Sequence, residues 1–344
     1  ARLQVENAGG GGAATGEGLR VVQVDGTSGA AFALEGRAVA GAYEYFLHQG
    51  SVAAPGDGDW YLRSQLPVGP VNPCEQDPDA PGCTPVSPPI TPPVIVPPVI
   101  VPPVTPITPP VTPPTVIPPV QRPEVGAWLA NQAAALHLFD MTLHQRSGDP
   151  SLATSQDSIA AWLRMPSETA HMDITDQLQG RRQQHVVQAG ADLLHWGHGS
   201  HGVAGVMAGS GRVDQQVMST RTGYSADARI DGRSVGVYAS WLQEARYLDS
   251  WLQHADFRGS VQGEALSRER YRARSTSASV EVGQSLPVFQ SGTHALYLEP
   301  QLQVTWNSWA MTGGTHIEQN GTRVSVADAG GLQTRVGLRL HGRP

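Results

Sequence analysis

Lysine is absent from this 344-residue chain, so its 23 basic residues are all arginine. Charge is scarce as well, at 15 % of residues, and the net charge of −7 argues against a nucleic-acid binder, which would present a basic face. No run reaches the roughly 18 to 20 consecutive apolar residues that a membrane-spanning helix needs, which excludes a helical membrane protein. There is no Walker-type phosphate loop, no Gly-x-Ser-x-Gly elbow and no Ser/His/Asp set, so the common hydrolase and nucleotide-binding chemistries have no carrier here. The chain opens at Ala1-Arg2-Leu3 without Met or a charged leader, so a secretory signal is expected to have been removed or to lie outside this stretch. Cysteine is limited to Cys74 and Cys83, in a Pro/Asp/Gly-rich run. Two readings stay open for them, two free thiols in a loop or a small disulfide formed in an oxidising compartment.

What the chain does have is glycine and proline, 39 and 28 of them. Seventeen of the prolines fall between Pro85 and Pro123, as Pro-Pro pairs separated by Val, Ile and Thr. Such a segment forms neither a helix nor a central strand. As polyproline II it would extend roughly 120 Å, and it reads as a spacer, with a ligand for a peptide-binding domain as the competing reading. Ahead of it, Leu19–Val24, Ala31–Leu34, Tyr43–Leu47 and Trp60–Arg63 read as short strands with Gly-rich punctuation. Four short strands bury too little to stand alone, which points to the end of a larger stacked β array. Beyond the spacer, Glu124 to Arg146 places Val125, Trp128, Leu129, Leu136, Phe139 and Leu143 near helical spacing, after Pro123 and before Gly148.

From about Arg181 the period becomes two. Leu296, Leu298, Pro300, Leu302, Val304 and Trp306 share one face, and Tyr297, Glu299, Gln301, Gln303 and Thr305 share the other. Val235, Val237, Ala239 and Trp241 repeat the split, as do Ala278, Val280 and Val282, and Leu332, Val336, Leu338 and Leu340. A soluble antiparallel sandwich also alternates, but these strands are long. Their polar faces carry Glu281, Glu299, Arg335 and Arg339, as a water-filled or helix-filled lumen would, and Trp241 and Trp306 are expected at strand ends, where an interfacial aromatic girdle belongs. The expected fold is therefore all-β with a transmembrane antiparallel barrel, whose lipid-facing residues include Val235, Val237, Leu298, Leu302 and Val304. The runs Gly202–Gly209 and Tyr247–Phe257 alternate poorly.

These residues resemble the pertactin-like autotransporters of Gram-negative bacteria. The likeness rests on Arg122-Pro123-Glu124-Val125-Gly126-Ala127-Trp128-Leu129 and then, in the family's order, on Gln188–Leu193, Gly205–Gly209, Asp231–Trp241, Tyr247–Leu252, Tyr297–Gln301 and Leu332–Gly337. Ahead of the spacer, Leu19–Val24, Gly29–Leu34, Gly41–Tyr45 and Asp59–Leu62 are similar to the C-terminal end of such a passenger, which caps a right-handed β-helix and helps it fold. The resemblance implies a passenger end at 1–72, a Cys loop and Pro-rich linker at 73–123, a lumen helix at 124–148 and a barrel domain at 149–344. It implies a translocator and display module in the outer membrane, exporting and anchoring a β-helical adhesin or virulence factor, with residues upstream of the helix at the cell surface. Its partners would be outer-membrane lipid, the barrel-assembly machinery, periplasmic chaperones and, through the passenger, a host surface. Neither cofactor nor enzymatic activity is implied. A soluble β-sandwich binding protein on a Pro-rich stalk is the alternative. One departure stands out: about seven strands are countable where the family has twelve, and the chain stops at Gly342-Arg343-Pro344 in place of an aromatic strand. A fragment that does not close alone is expected.

Val125, Trp128, Leu129 and Leu136 are expected to set the helix against the wall, with Glu281, Glu299, Arg335 and Arg339 supplying charged contacts. His195, His198 and His201 have a metal-like spacing, but no carboxylate or Cys is placed to complete a shell, so a turn is the reading and no metal is expected. Gly197-x-Gly199-x-x-Gly202 matches a dinucleotide fingerprint in letters alone. Asn320-Gly321-Thr322 suits a turn as well as a sequon. Self-cleavage within a barrel has only Asn131 and Asp140 as candidates, and the paired-Asn motif is absent.

Overall fold

The computed structural model describes residues 1–26, 31–67, 117–147, 161–197, 200–291, 294–326 and 329–343. Cys74, Cys83, His198, Gly199 and most of the Pro-rich segment lie outside the described residues. Contacts divide the chain into one unit of Ala1–Ala14, Gly29–Tyr45 and Val120–Pro344 and another of Thr15–Ser28 and Phe46–Pro119.

Six short strands come first: β1 (Arg2–Gln4), β2 (Leu19–Val22), β3 (Ala33–Glu35), β4 (Ala38–Ala40), β5 (Tyr43–Gln49) and β6 (Trp60–Arg63). In the first unit β1 and β3 pair in parallel, Arg2 opposite Ala33, as successive coils of a solenoid do, and β4 lies antiparallel to the start of β5. In the second unit the end of β5 pairs with β6, and β6 with β2, over a small core of Trp60, Tyr61 and Leu62. Asp59 ties this unit together, accepting from Arg20 at 3.1 Å and from the Val24 N–H at 2.7 Å.

Two helices follow, α1 (Pro123–His137) and α2 (Leu143–Ser147). The periodicity predicts one helix from Glu124 to Arg146; the chain instead leaves helical geometry after Leu138, because the carbonyls of Phe139 and Met141 turn to donors on the sheet. Pro123 opens α1 at a position where its missing N–H costs nothing.

The remaining strands are β7 (Ala161–Arg164), β8 (Ser167–Asp173), β9 (Leu178–Trp196), β10 (His201–Ser219), β11 (Ser225–Gln243), β12 (Arg246–Gly263), β13 (Glu269–Gln284), β14 (Leu286–Ser291), β15 (His294–Met311), β16 (Thr315–Ile317), β17 (Arg323–Ser325) and β18 (Ala329–Arg343). All but the small β16–β17 hairpin form one antiparallel sheet of ten strands. Those ten fill eight lanes, since β7 and β8 lie end to end along β9, and β13 and β14 lie end to end along β15. Seven lanes begin at or after Leu178, close to the count read from alternation. The eighth, β7 with β8, escaped it because Pro166 splits it into halves too short to show a period. Among the described residues no ladder joins β18 to β7 or β8, so the sheet is open between them.

Strands β9, β10 and β11 each run 19 residues, about 60 Å at roughly 3.3 Å per residue, where about ten tilted residues cross a bilayer. Their ladders are in register almost end to end, and large aromatic rings lie flat across the opposite strand. Tyr271 covers Gly259, and Tyr247 covers Gly283; a Cβ on either glycine would sit 2.2 or 2.3 Å from a ring carbon.

His48 in β5 supplies a pH test of the second unit. Burial pulls its imidazole below the usual histidine range, against the opposing effect of the Nε2–H donated to the Gln65 carbonyl at 2.9 Å. The folded state therefore binds fewer protons than the unfolded one, and stability falls as pH drops through about 6.5. Hydrogen exchange at Leu47 to Gln49 should accelerate in that window, and His48→Gln should flatten the dependence.

Candidate functional site: a helix held against the inner wall

Helix α1 lies along the concave face of the long sheet. Its buried side is made of small residues, Ala127, Ala130, Ala134 and Ala135, with Trp128 and Asn131 among them. Bulk comes from the wall: Leu178, Val186, Val213, Val217, Ile230, Phe257 and Tyr271 form one core cluster with the helix. The Trp128 ring packs on Tyr271 with centroids 4.7 Å apart and its indole N–H donates to Glu318 at 2.7 Å. Asn131 is fully buried; its amide nitrogen donates to the carbonyls of Arg229 and Ser260, and its oxygen accepts from Gln215.

Of the residues expected to position the helix, Trp128 is buried, Val125 and Leu136 are half-buried, and Leu129 is 47 % exposed. Looking for large apolar side chains missed the alanine face. The signal for it was present in Ala127, Ala130, Ala134 and Ala135: a helix embraced by a sheet needs small residues wherever the wall's own side chains fill the space.

The non-helical turn from Leu138 to Thr142 is held by five wall donors, one of them Arg164 of β7, which donates to the Asp140 carbonyl at 2.8 Å. Gln188 and Gln253 donate to the Phe139 carbonyl at 3.2 and 3.0 Å, and Trp251 and Gln303 donate to the Met141 carbonyl at 3.0 and 2.9 Å. Below it α2 meets a charged zone. Glu281 accepts from the Leu143 N–H and the Tyr247 hydroxyl, Glu299 pairs with His144 at 2.5 Å, and Arg146 pairs with Asp249 at 2.5 Å while also donating to Ser240. Arg146 also lies over the Tyr238 ring, 4.1 Å from its centroid.

The four expected lumen charges divide. Glu281 and Glu299 are buried against α2. Arg339 reaches only to within 3.7 Å of Glu299, and Arg335, although opposite Gln303 in register, is exposed. Arg146 and Asp249, which the sequence reading did not single out, make the central buried pair. On the convex side Val235 is 63 % exposed and Leu302 44 %, Val237 and Val304 are exposed with them, and Leu298 is half-buried between Leu286 and Leu340. Trp306 does not end its strand; it stands inside β15 beside polar Ser308.

At the upper end of α1 a second charged group closes the site. Arg37 lies between Glu44, at 2.6 Å, and Glu124, at 2.7 Å, and donates also to the Glu264 carbonyl; Arg122 pairs with Glu318 at 2.8 Å. Burial by itself would lower the Arg37 pKa, but its hydrogen bonds to Glu44 and Glu124 hold it above the ordinary arginine range. Chemically this arrangement anchors a segment. The Asn131 amide that self-cleavage would require is tied to two carbonyls, and Asp140 sits beyond the other end of α1, beside His137. His195 lies 3.8 Å from Asp192 with its ring against His201, and among the described residues no three ligating side chains gather around a metal position.

Breaking a buried pair strands its partner and costs about 3–5 kcal/mol. In the full-length protein, Arg146→Ala should therefore loosen α2 and raise single-channel conductance in planar bilayers, whereas Arg335→Ala should leave it unchanged. Equal conductance for Arg146→Ala and the parent protein would remove Arg146 as an anchor.

Residues 161–344 match the family model of the autotransporter beta-domain, and residues 1–47 match that of the autochaperone domain, type 1. The chain is 33 % identical over 361 residues to the uncharacterized protein YdeU of Escherichia coli (strain K12), covering 99 % of this chain and 70 % of that protein. It is 27 % identical to the autotransporter adhesin AIDA-I of Escherichia coli over 97 % of this chain, but spans only 23 % of AIDA-I. The crystal structure of the AIDA-I transport unit superposes with a TM-score of 0.55 at 28 % identity, over 65 % of this chain and 73 % of that one. A long open sheet with an aliphatic convex face, a helix fastened along its concave face and a solenoid-like end ahead of it agree with these matches: the chain belongs to the autotransporter family and carries its outer-membrane β-barrel domain.

Proposed function

We propose that this chain is the export and display end of an autotransporter, which carries a β-helical passenger through the outer membrane and keeps it anchored there. The observation that carries the reading is the path of residues 120–147, fastened to the inner wall at both ends by buried ion pairs and along its middle by wall donors. A segment so held would plug the pore once export is complete. In this reading residues 1–72 are the passenger's end, 73–123 the exit linker, 124–148 the lumen helix and 149–344 the barrel domain. Arg37 and Glu44, which belong to the stretch ahead of the linker, bond to Glu124 of α1 or to each other, and so would keep the passenger's root at the mouth.

The passenger is proposed to be an adhesin, as the relative AIDA-I is by name, meeting a host surface. Biogenesis would draw on periplasmic chaperones and the barrel-assembly machinery, with no catalytic step by this chain. A reporter placed ahead of Ala1 should become accessible to externally added protease, and removal of residues 120–147 should abolish its stable display. Alkaline carbonate should leave the protein in the membrane pellet and detergent should release it. Release by carbonate alone would favour the soluble sandwich on a stalk.

A further inference from the structure

The convex face changes character halfway along β10 to β13. Cross-strand registers define its rows. The row Val206, Val237, Leu252, Ala278 and Trp306 is apolar, as is the row Trp241, Leu248, Val282 and Leu302. Toward the α1 N-terminus the rows become Ser210, Arg233, Asp256, Arg274; then Arg212, Asp231, Arg258, Arg272; then Asp214, Arg229, Ser260, Arg270. Seven arginines and three aspartates thus stand in three adjoining rows on a protein of net charge −7.

Three of those arginines are answered. Arg212 pairs with Asp231, Arg229 with Asp214 and Arg274 with Asp256, at 2.7, 2.5 and 3.2 Å. Arg233, Arg258, Arg270 and Arg272 have no carboxylate partner among the described residues, and all four are exposed. Arg258 stands directly opposite Arg272, with Arg270 one outward step along the same strand. Like charges directly opposite on a sheet destabilise it unless a counter-charge lies between them. A cleft of about 520 Å³ opens at this place, lined by Arg229, Asp231, Arg258, Ser260, Arg270 and Arg272.

The end of the sheet that bears this belt also carries the chain from 312 to 326, with the β16–β17 hairpin, whereas Glu244-Ala245 forms a two-residue turn at the opposite end. Transmembrane barrels put short turns in the periplasm and long connections outside. The belt therefore lies at the outer leaflet. Arg233 stands two residues above lipid-facing Val235, about 7 Å along the strand, which is headgroup level for a lipid whose chains cover Val235, Val237 and Leu252. Arginine's planar fork binds phosphate oxygens in pairs, so a cluster of exposed arginines at that level fits phosphate.

We propose that Arg258, Arg270 and Arg272, supported by Arg233, bind the phosphorylated headgroup of an outer-leaflet glycolipid, which supplies the anion that the facing arginines lack. The inference rests on the outer-membrane placement and is independent of what the passenger does.

The full-length protein extracted from outer membranes in mild detergent should carry an adduct of bisphosphorylated lipid A-type glycolipid in native mass spectrometry. Arg258→Gln with Arg272→Gln should weaken retention by about tenfold or more, because each basic residue near an anionic surface contributes about 1 kcal/mol. Arg246→Gln, at the opposite end of β12, should retain the adduct. The same glycolipid stripped of phosphate should not bind. Heat-modifiable migration on gels checks that each variant is folded; if the double variant is not, Arg270→Gln is read in the same way. Equal retention by parent and variant, equal binding of the dephosphorylated lipid, or an adduct of inorganic phosphate alone would each overturn the proposal. A soluble protein in the fractionation above would instead overturn the membrane reading itself.

Discussion

A polypeptide segment that runs along the inside of a sheet must have its backbone polar groups satisfied there, and in this molecule that requirement fixes the division of labour between helix and wall. Where the segment is helical, α1 meets its own needs and the wall can be apolar. Where it is not, between Leu138 and Thr142, the wall presents Arg164, Gln188, Trp251, Gln253 and Gln303, each aimed at a carbonyl. Unsatisfied buried carbonyls would cost on the order of 1–3 kcal/mol each, so these five side chains decide where the helix can break. The break in turn lets α2 deliver Arg146 and His144 to Asp249 and Glu299.

The same division explains which parts of the sequence were legible. Alternation in 296–306 and 235–241 reads cleanly because one face of those stretches lies against hydrocarbon and the other against polar wall residues. It fails in Tyr247–Phe257 for a physical reason. The inward set there is Tyr247, Asp249, Trp251, Gln253, Ala255 and Phe257, passing from the polar zone around α2 to the apolar zone around α1. The outward set passes the other way, from Leu248 and Leu252 to His254 and Asp256. Both faces change polarity in mid-strand, so a two-letter pattern averages out.

The site was legible in part. Glu281, Glu299 and Trp128 stand out as polar or large residues in periodic runs; the two glutamates meet α2, and Trp128 packs from α1 onto the wall. Arg146 and Asp249 did not, since each looks ordinary along the chain and they are brought together only by the register of β11 and β12 and the turn ahead of α2. Asn131 was noticed for a reaction, yet its three hydrogen bonds make it a fastening. Arg335 has the right parity but lies on β18, at the open side of the sheet, where no carboxylate meets it among the described residues.

The position of the apolar inner zone has a mechanical consequence. Val213, Val217, Ile230 and Tyr271 grip α1 at the level where the outer face already carries arginine and aspartate, beyond the aliphatic band. The part of the wall that grips α1 therefore stands clear of hydrocarbon, and the hydrogen-bonded zone around α2 lies beneath it. If α1 plugs the pore as proposed, a gasket in that place would take its pressure from neighbouring strands, so thinning or stretching of the surrounding bilayer would leave the permeability barrier where it is.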